Sequence, residues 1–295
     1  MRDHSPLARR AFISRVGAFC ALAPLVLGEA AGAEAAVSPV KRPGRLKQAV
    51  CRGVFRGTNL DLDGMCREAA RLGAQGIDLV GPESFPTLKK YGLIATMAPG
   101  GCSIKEGIND KAHHDRIEEA MVKAIKVAAN AGAPNVIVLA GDRKGISDEE
   151  GLENSVTFLN KVKALAEDSN VTLCMELLNS KVNHPGYMCD STAWGVNVCK
   201  QVGSPRVKLL YDIYHMQIME GDIIRTIREN IQFIGHFHTA GNPGRHEFDA
   251  TQELNYPPIC KAIADLGFTG FLAHEYTPTG AALPTLERMM TLCEV

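Results

Sequence analysis

Residues 207–217 read VKLLYDIYHMQ. The run VKLLY is short, apolar and rich in residues that favour strands. An acid, Asp212, follows at once, and an imidazole, His215, comes three positions later. Seven other short apolar runs share this design: AVCRGVF (49–55), GIDLV (76–80), LIATMA (93–98), NVIVLAG (135–141), VTLCMELL (171–178), FIGHFHT (233–239) and GFLAHEY (270–276). Each is followed by a longer helical pattern. DRIEEAMVKAIKVAANAG (115–132) places Ile117, Met121, Ala124, Ile125 and Ala128 on one face and stops at Gly132. Gly73, Gly203 and Gly267 end other helical patterns in the same way. Strands alternating with helices predict a parallel sheet. Eight such units across residues 48–295 predict an α/β fold, a single closed (β/α)8 TIM barrel. An open doubly wound sheet is the alternative; it would show fewer units and often a glycine-rich phosphate loop, and no GxGxxG or Walker A sequence occurs.

The 295 residues carry a net charge of -1, with 45% hydrophobic and 22% charged residues. Those values describe an ordinary globular chain and exclude a strongly basic nucleic-acid binder, so no nucleic-acid partner is expected. Residues 1–33 have the pattern of an export signal: Arg9-Arg10, an apolar stretch from Val16 to Leu27, and a small-x-small site at Ala31-Gly32-Ala33. The paired arginines resemble a twin-arginine signal, which places the mature protein in the periplasm or otherwise outside the cytoplasm. After cleavage no stable membrane association is expected, because no other stretch is apolar and long enough to span a bilayer. Residues 34–47, rich in Pro, Gly, Lys and Arg, read as a linker, and 48–295 as the catalytic domain. Of nine cysteines, Cys20 lies in the leader; the other eight form no CxxC pair and are expected to be buried thiols, not a disulfide framework. Homo-oligomerisation is left open.

In a barrel of this kind the chemistry lies at the C-terminal ends of the strands. The first four predicted strands end without an obvious ligand set. The next four deliver Glu176 (CMELL), Asp212 (LLYDI), His236 and His238 (GHFHT), and Glu275 (AHEY) at what is expected to be one height. Neighbouring strands lie about 4.8 Å apart, so these groups can converge. Three carboxylates side by side repel unless a cation or protons neutralise them. Carboxylates with one imidazole suit a divalent cation, Mn2+ first, with Mg2+ or Co2+ as alternatives. His236 and His238 share a face, so periodicity does not choose between them; His238, nearer the strand end, is the favoured ligand and His236 a deeper neighbour. His274 should point away, toward the helices.

The motifs MELLNSK, LLYDIYHMQ, GHFHTAGNPGRHE, QELNYPPI and HEYTP resemble the hydroxypyruvate isomerase branch of the xylose-isomerase-like TIM-barrel superfamily, over roughly residues 50–292. The wider group includes ketose 3-epimerases, sugar-phosphate isomerases and epimerases, and endonuclease IV. The resemblance implies a metal-dependent isomerase with Glu176, Asp212, His238 and Glu275 as metal ligands. It implies Glu176 and Glu275 as the acid/base pair, and His215, Arg245, Asn179 and Glu247 as residues near the substrate, with Asn255 in a neighbouring motif. His215 is expected in a loop past the strand end. The implied partner is a small hydroxy-carbonyl or sugar substrate. Where the epimerases carry a second glutamate six residues after the first metal ligand, this chain has Val182, which argues against an epimerase-type pocket.

Overall fold

A computed structural model describes residue 40 and residues 42–295. The expected export signal, residues 1–33, lies outside the described residues. Eight parallel strands, β1 (Lys47–Cys51), β2 (Gly76–Asp78), β3 (Ile94–Met97), β4 (Asn135–Val138), β5 (Thr172–Leu177), β6 (Val207–Asp212), β7 (Ile234–Thr239) and β8 (Phe271–His274), pair in the order β3-β2-β1-β8-β7-β6-β5-β4. The ring closes between β3 and β4 by little backbone pairing. Ala98 N donates to the Asn135 carbonyl at 2.9 Å, and Ile137 N donates to the Ala98 carbonyl at 2.9 Å. The Asn135 amide reinforces the seam by donating to the Thr96 carbonyl at 2.8 Å. All eight expected strands are present, in an α/β barrel. The run 49–55 is shorter as a strand than its apolar content suggests, because the chain turns tightly over Arg52–Phe55.

Helices wrap the outside: α1 (Leu62–Arg71), α2 (Phe85–Lys90), α3 (His114–Ala131), α4 (Asp148–Asp168), α5 (Thr192–Val202), α6 (Ile213–Met219), α7 (Ile223–Asn230), α8 (Tyr256–Asp265) and α9 (Ala282–Leu292). Gly132 and Gly203 end α3 and α5 in the left-handed conformation, with φ of 74° and 65°. Glycine adopts that conformation without the clash a Cβ would bring. No helix among the described residues is long and apolar enough to cross a membrane.

Alternation along each strand sorts side chains into two cores. Leu173, Met175, Leu177, Leu209 and Tyr211 join the large outer cluster with the helices. The barrel interior is filled lower down by small or slim residues, among them Ala49, Cys51, Met97, Ile137, Cys174, Leu210 and Ala273. The eight described cysteines are all free, and seven of them are buried, as expected of core thiols.

The linker expectation needs a correction. From Arg42 the chain is tied to the barrel: the Arg42 Nε donates to the Leu72 carbonyl at 2.6 Å, its Nη1 pairs with Glu294 at 3.1 Å, and Arg45 N donates to the Val295 carbonyl at 2.8 Å. Arg42 and Arg45, which look like part of a linker in sequence, are here held by Glu294 and by the carbonyls of Leu72 and Val295.

The thin β3–β4 seam makes Asn135 a structural residue. Asn135→Ala should destabilise the fold by about 1–3 kcal/mol, the usual loss for a buried donor and acceptor left unpaired. Urea unfolding should show that loss, with the Ala98 and Ile137 amides exchanging first; unchanged exchange at those two amides would refute the seam's dependence on Asn135.

Candidate active site

Asp212 ends β6 and is at once the N-cap of α6: its Oδ1 accepts a hydrogen bond from His215 N at 3.1 Å. The three-residue spacing is therefore that of a capping residue and the third helical position. His215 thus sits in the first turn of α6, a correction to its expected place in a loop. The cap engages one oxygen of Asp212 and leaves Oδ2 facing the mouth of the barrel.

Glu176, Asp212, His238 and Glu275 do converge. Each offers a ligand atom, and these atoms lie within 4.8 Å of one another. They are not all in register with one another, however. Asp212 is opposite His238, but Glu176 is opposite Leu210, and Glu275 follows the last residue of β8, its N–H donating to the Thr239 carbonyl at 2.9 Å. The strands of a closed barrel are tilted and staggered, so equal height does not mean equal register.

Nδ1 of His238 lies 2.8 Å from a Glu275 oxygen and 3.4 Å from a Glu176 oxygen, yet makes no aligned hydrogen bond. Its other nitrogen, Nε2, is 3.0 Å from Asp78. A buried nitrogen aimed at two carboxylates without an aligned bond, in an oxygen-rich pocket, fits a hard or borderline divalent cation. Burial opposes charge on the His238 ring, but the anionic groups around it, Glu275 and Asp78 among them, hold its pKa well above the usual value. Proton and cation are thus alternatives at this point.

The two glutamates have unlike environments. Burial, with the nearby Glu275 and Asp212, raises the pKa of Glu176. Burial works in the same sense on Glu275, but His238 and the Arg245 guanidinium outweigh it and bring its pKa down to about 2. Burial also raises that of Asp212. Arg245, in the loop after β7, places Nη2 2.7 Å from Glu275 and 3.4 Å from Asp212 and packs over the Tyr214 ring.

Besides His238 Nδ1, two buried polar atoms of the pocket make no hydrogen bond: Arg245 Nε, and His215 Nε2, which lies 3.6 Å from Asp212 Oδ2. His215 Nδ1 accepts from the Asn179 backbone N–H at 3.1 Å and is met by the Asn179 side-chain amide at 2.5 Å. The proton of the neutral ring must then be on Nε2. Burial and the Arg245 charge hold the pKa of His215 well below its usual value, so it presents an uncharged donor.

Asn179 organises the site and leaves nothing for a substrate. Its Oδ1 accepts from Val182 N and Asn183 N at 3.0 and 2.8 Å, while its amide meets His215 and Asn183. Glu247 is likewise committed elsewhere. It accepts from Thr279 N, Thr279 Oγ1 and Gly280 N at 2.9, 2.9 and 3.2 Å and clamps the loop after β8. Asn255 is exposed at the start of α8. His274 is hydrogen-bonded to Thr239 and Gln48, away from the site, as expected. The early strands contribute more than the sequence suggests. Asp78 at the end of β2 and Cys51 at the end of β1 lie beside His238. His184, from the loop after β5, packs against His215 with ring centroids 5.4 Å apart. The signal for Asp78 was a charged residue inside the apolar run GIDLV; nothing in sequence points to His184.

Residues 66–292 match the family model described as xylose isomerase-like TIM barrel. The chain belongs to this family. It is similar to the 2-oxo-tetronate isomerase of Cupriavidus necator, at 33% identity over 53% of this chain and 60% of that protein. It is also similar to the hydroxypyruvate isomerase of Escherichia coli, at 30% identity over 56% of this chain and 63% of that protein. The match therefore spans less than two thirds of these relatives' length. Among solved structures, a family 2 AP endonuclease from Brucella melitensis superposes with a TM-score of 0.76 at 22% identity, over 83% of this chain and 99% of that one; this likeness is one of fold.

The double use of Asp212 can be separated. Asn caps helices about as well as Asp, so Asp212→Asn should keep the α6 cap, with the His215 amide still protected from hydrogen exchange. Calorimetric titration with Mn2+ should nevertheless show weakening beyond the roughly 10–100-fold typical of losing an outer partner. Unchanged Mn2+ affinity would remove Asp212 from the ligand set.

Proposed function

We propose that this protein is a divalent-metal-dependent isomerase that interconverts hydroxypyruvate and tartronate semialdehyde (2-hydroxy-3-oxopropanoate), an intramolecular oxidoreduction of the aldose–ketose type. The observation that carries the proposal is the convergence of Glu176, Asp212, His238 and Glu275 beside two unpaired buried donors. Support comes also from relatives named for hydroxypyruvate and 2-oxo-tetronate, both 2-oxo acids with a hydroxyl on the adjacent carbon.

Glu176, Asp212, His238 and Glu275 would hold the ion, Mn2+ by preference, which when bound supplies Lewis-acid polarisation of a carbonyl and its neighbouring hydroxyl. One of the facing glutamates removes a proton from C3 of hydroxypyruvate, and the other guides a proton to C2. The hydroxyl proton passes from O3 to O2, leaving an aldehyde at C3. Positioned acid–base groups typically contribute about 10²–10⁴-fold each. The uncharged Nε2–H of His215 and the Nε–H of Arg245 can only donate, so they suit carbonyl or carboxylate oxygens. Arg245 adds the positive charge that a substrate carboxylate requires. The twin-arginine pattern supports an exported enzyme.

A ketose 3-epimerase, or an isomerase or lyase acting on a 3-keto sugar, is the second reading. Against it stands Val182, six residues after Glu176, where the resemblance places a second glutamate in the epimerases.

Chelator dialysis should abolish turnover of hydroxypyruvate, and Mn2+ or Co2+ should restore it. In D2O the product should gain carbon-bound deuterium, and Glu176→Gln or Glu275→Gln should each lower kcat by about 10²-fold or more. Turnover of a hexulose without any turnover of hydroxypyruvate would favour the second reading instead; unaltered kcat in both Gln variants would remove the acid/base assignment.

A further inference from the structure

Inside the barrel, one layer below the candidate ligands, lies a polar cluster that no role above requires. Asp78, fully buried at the end of β2, collects donors on both oxygens. Its Oδ2 lies 2.7 Å from His236 Nε2 and 3.0 Å from His238 Nε2. Its Oδ1 accepts from the Thr96 hydroxyl. On the far side of His236 the Asn135 amide approaches Nδ1 at 3.5 Å. Cys51 Sγ lies 3.9 Å from His238 Nε2. An ionised carboxylate has only acceptors, so both imidazoles must turn an N–H toward Asp78.

For the neutral His238 ring this decides the tautomer. With the proton on Nε2, the lone pair is on Nδ1, the nitrogen 2.8 Å from Glu275 and 3.4 Å from Glu176. The opposite tautomer would put a hydrogen where a cation must approach and would set a lone pair against the Asp78 charge. The bond also helps fix the rotation of the ring, which the His236 ring meets edge-on with centroids 5.3 Å apart.

We propose that Asp78 is a positioning residue for the metal centre: it fixes the tautomer and orientation of His238, so that Nδ1 is available as a ligand, and His236 and Thr96 hold Asp78 in place. This rests on the metal-dependent reading above. It gives a role to the histidine pair of GHFHT, in which His238 faces the ion and His236 braces the acid that aims it.

The test uses the full chain. Asp78→Asn retains shape, can still accept from a ring N–H and can donate to Thr96, but removes the charge. Its far-ultraviolet circular dichroism and unfolding midpoint should stay close to those of the wild type. Its Mn2+ dissociation constant, by calorimetry, should rise about 10–100-fold at unchanged stoichiometry, the usual effect of losing an outer carboxylate. The spectrum of bound Mn2+ in paramagnetic resonance should change as well. A second measurement needs no variant: nitrogen NMR of histidine-labelled, Mg2+-saturated wild type should show the His238 proton on Nε2. A folded Asp78→Asn protein with wild-type Mn2+ affinity overturns the proposal while leaving the metal reading standing; a proton on Nδ1 overturns the proposal and removes His238 from the ligand set. Wild-type protein that binds neither ion overturns both.

Discussion

Three carboxylates are held within 4.8 Å of one another at the mouth of a closed barrel. Each pair of unit charges at that distance repels by about 3.5 kcal/mol at an effective dielectric constant of 20. Three such pairs approach the whole stability of an ordinary domain, about 5–15 kcal/mol. A fold can tolerate this only if protons or cationic groups neutralise the cluster, and burial does raise the pKa values of Glu176 and Asp212. The surroundings of the site follow from that demand. Arg245 reaches in to Glu275 and Asp212, and His238 faces Glu275 and Glu176.

The barrel makes such a cluster possible because its framework is stabilised elsewhere. Hydrophobic burial between strands and helices fixes eight strand ends in space, and the cost of the polar mouth is met by that outer core. Local chemistry then serves both fold and site. Asp212 caps α6 with one oxygen and presents the other to the pocket. Asn179 satisfies its own loop while setting the tautomer of His215. Asp78 holds a histidine pair from the opposite side of the barrel interior.

What was legible in sequence is what depends on short-range pattern. The eight apolar runs and the glycine stops are local signals, and they placed every strand. The converging cluster was legible because Glu176, Asp212, His238 and Glu275 each stand at or near the end of such a run. Residues whose meaning depends on a distant partner were not legible. Asp78 was passed over because His236 and His238 are some 160 positions away in the chain. Glu247 lies in a site-like motif, but its oxygens are satisfied by Thr279 and Gly280 across the mouth. The basic stretch at Arg42 and Arg45 read as a linker because its acceptors, Glu294 and Val295, lie at the other end of the chain.

By itself, the sequence determined the alternation of strands and helices and which acids and histidines stand near the strand ends, since hydrophobic period and helix stops are written locally. Only the tertiary structure decided which nitrogen of each histidine faces the pocket, which oxygen of Asp212 caps α6 and which meets Arg245, and which polar residues are already satisfied. The physical reason is that hydrogen bonds choose tautomers and partners in three dimensions, and barrel closure brings together groups that no periodicity relates.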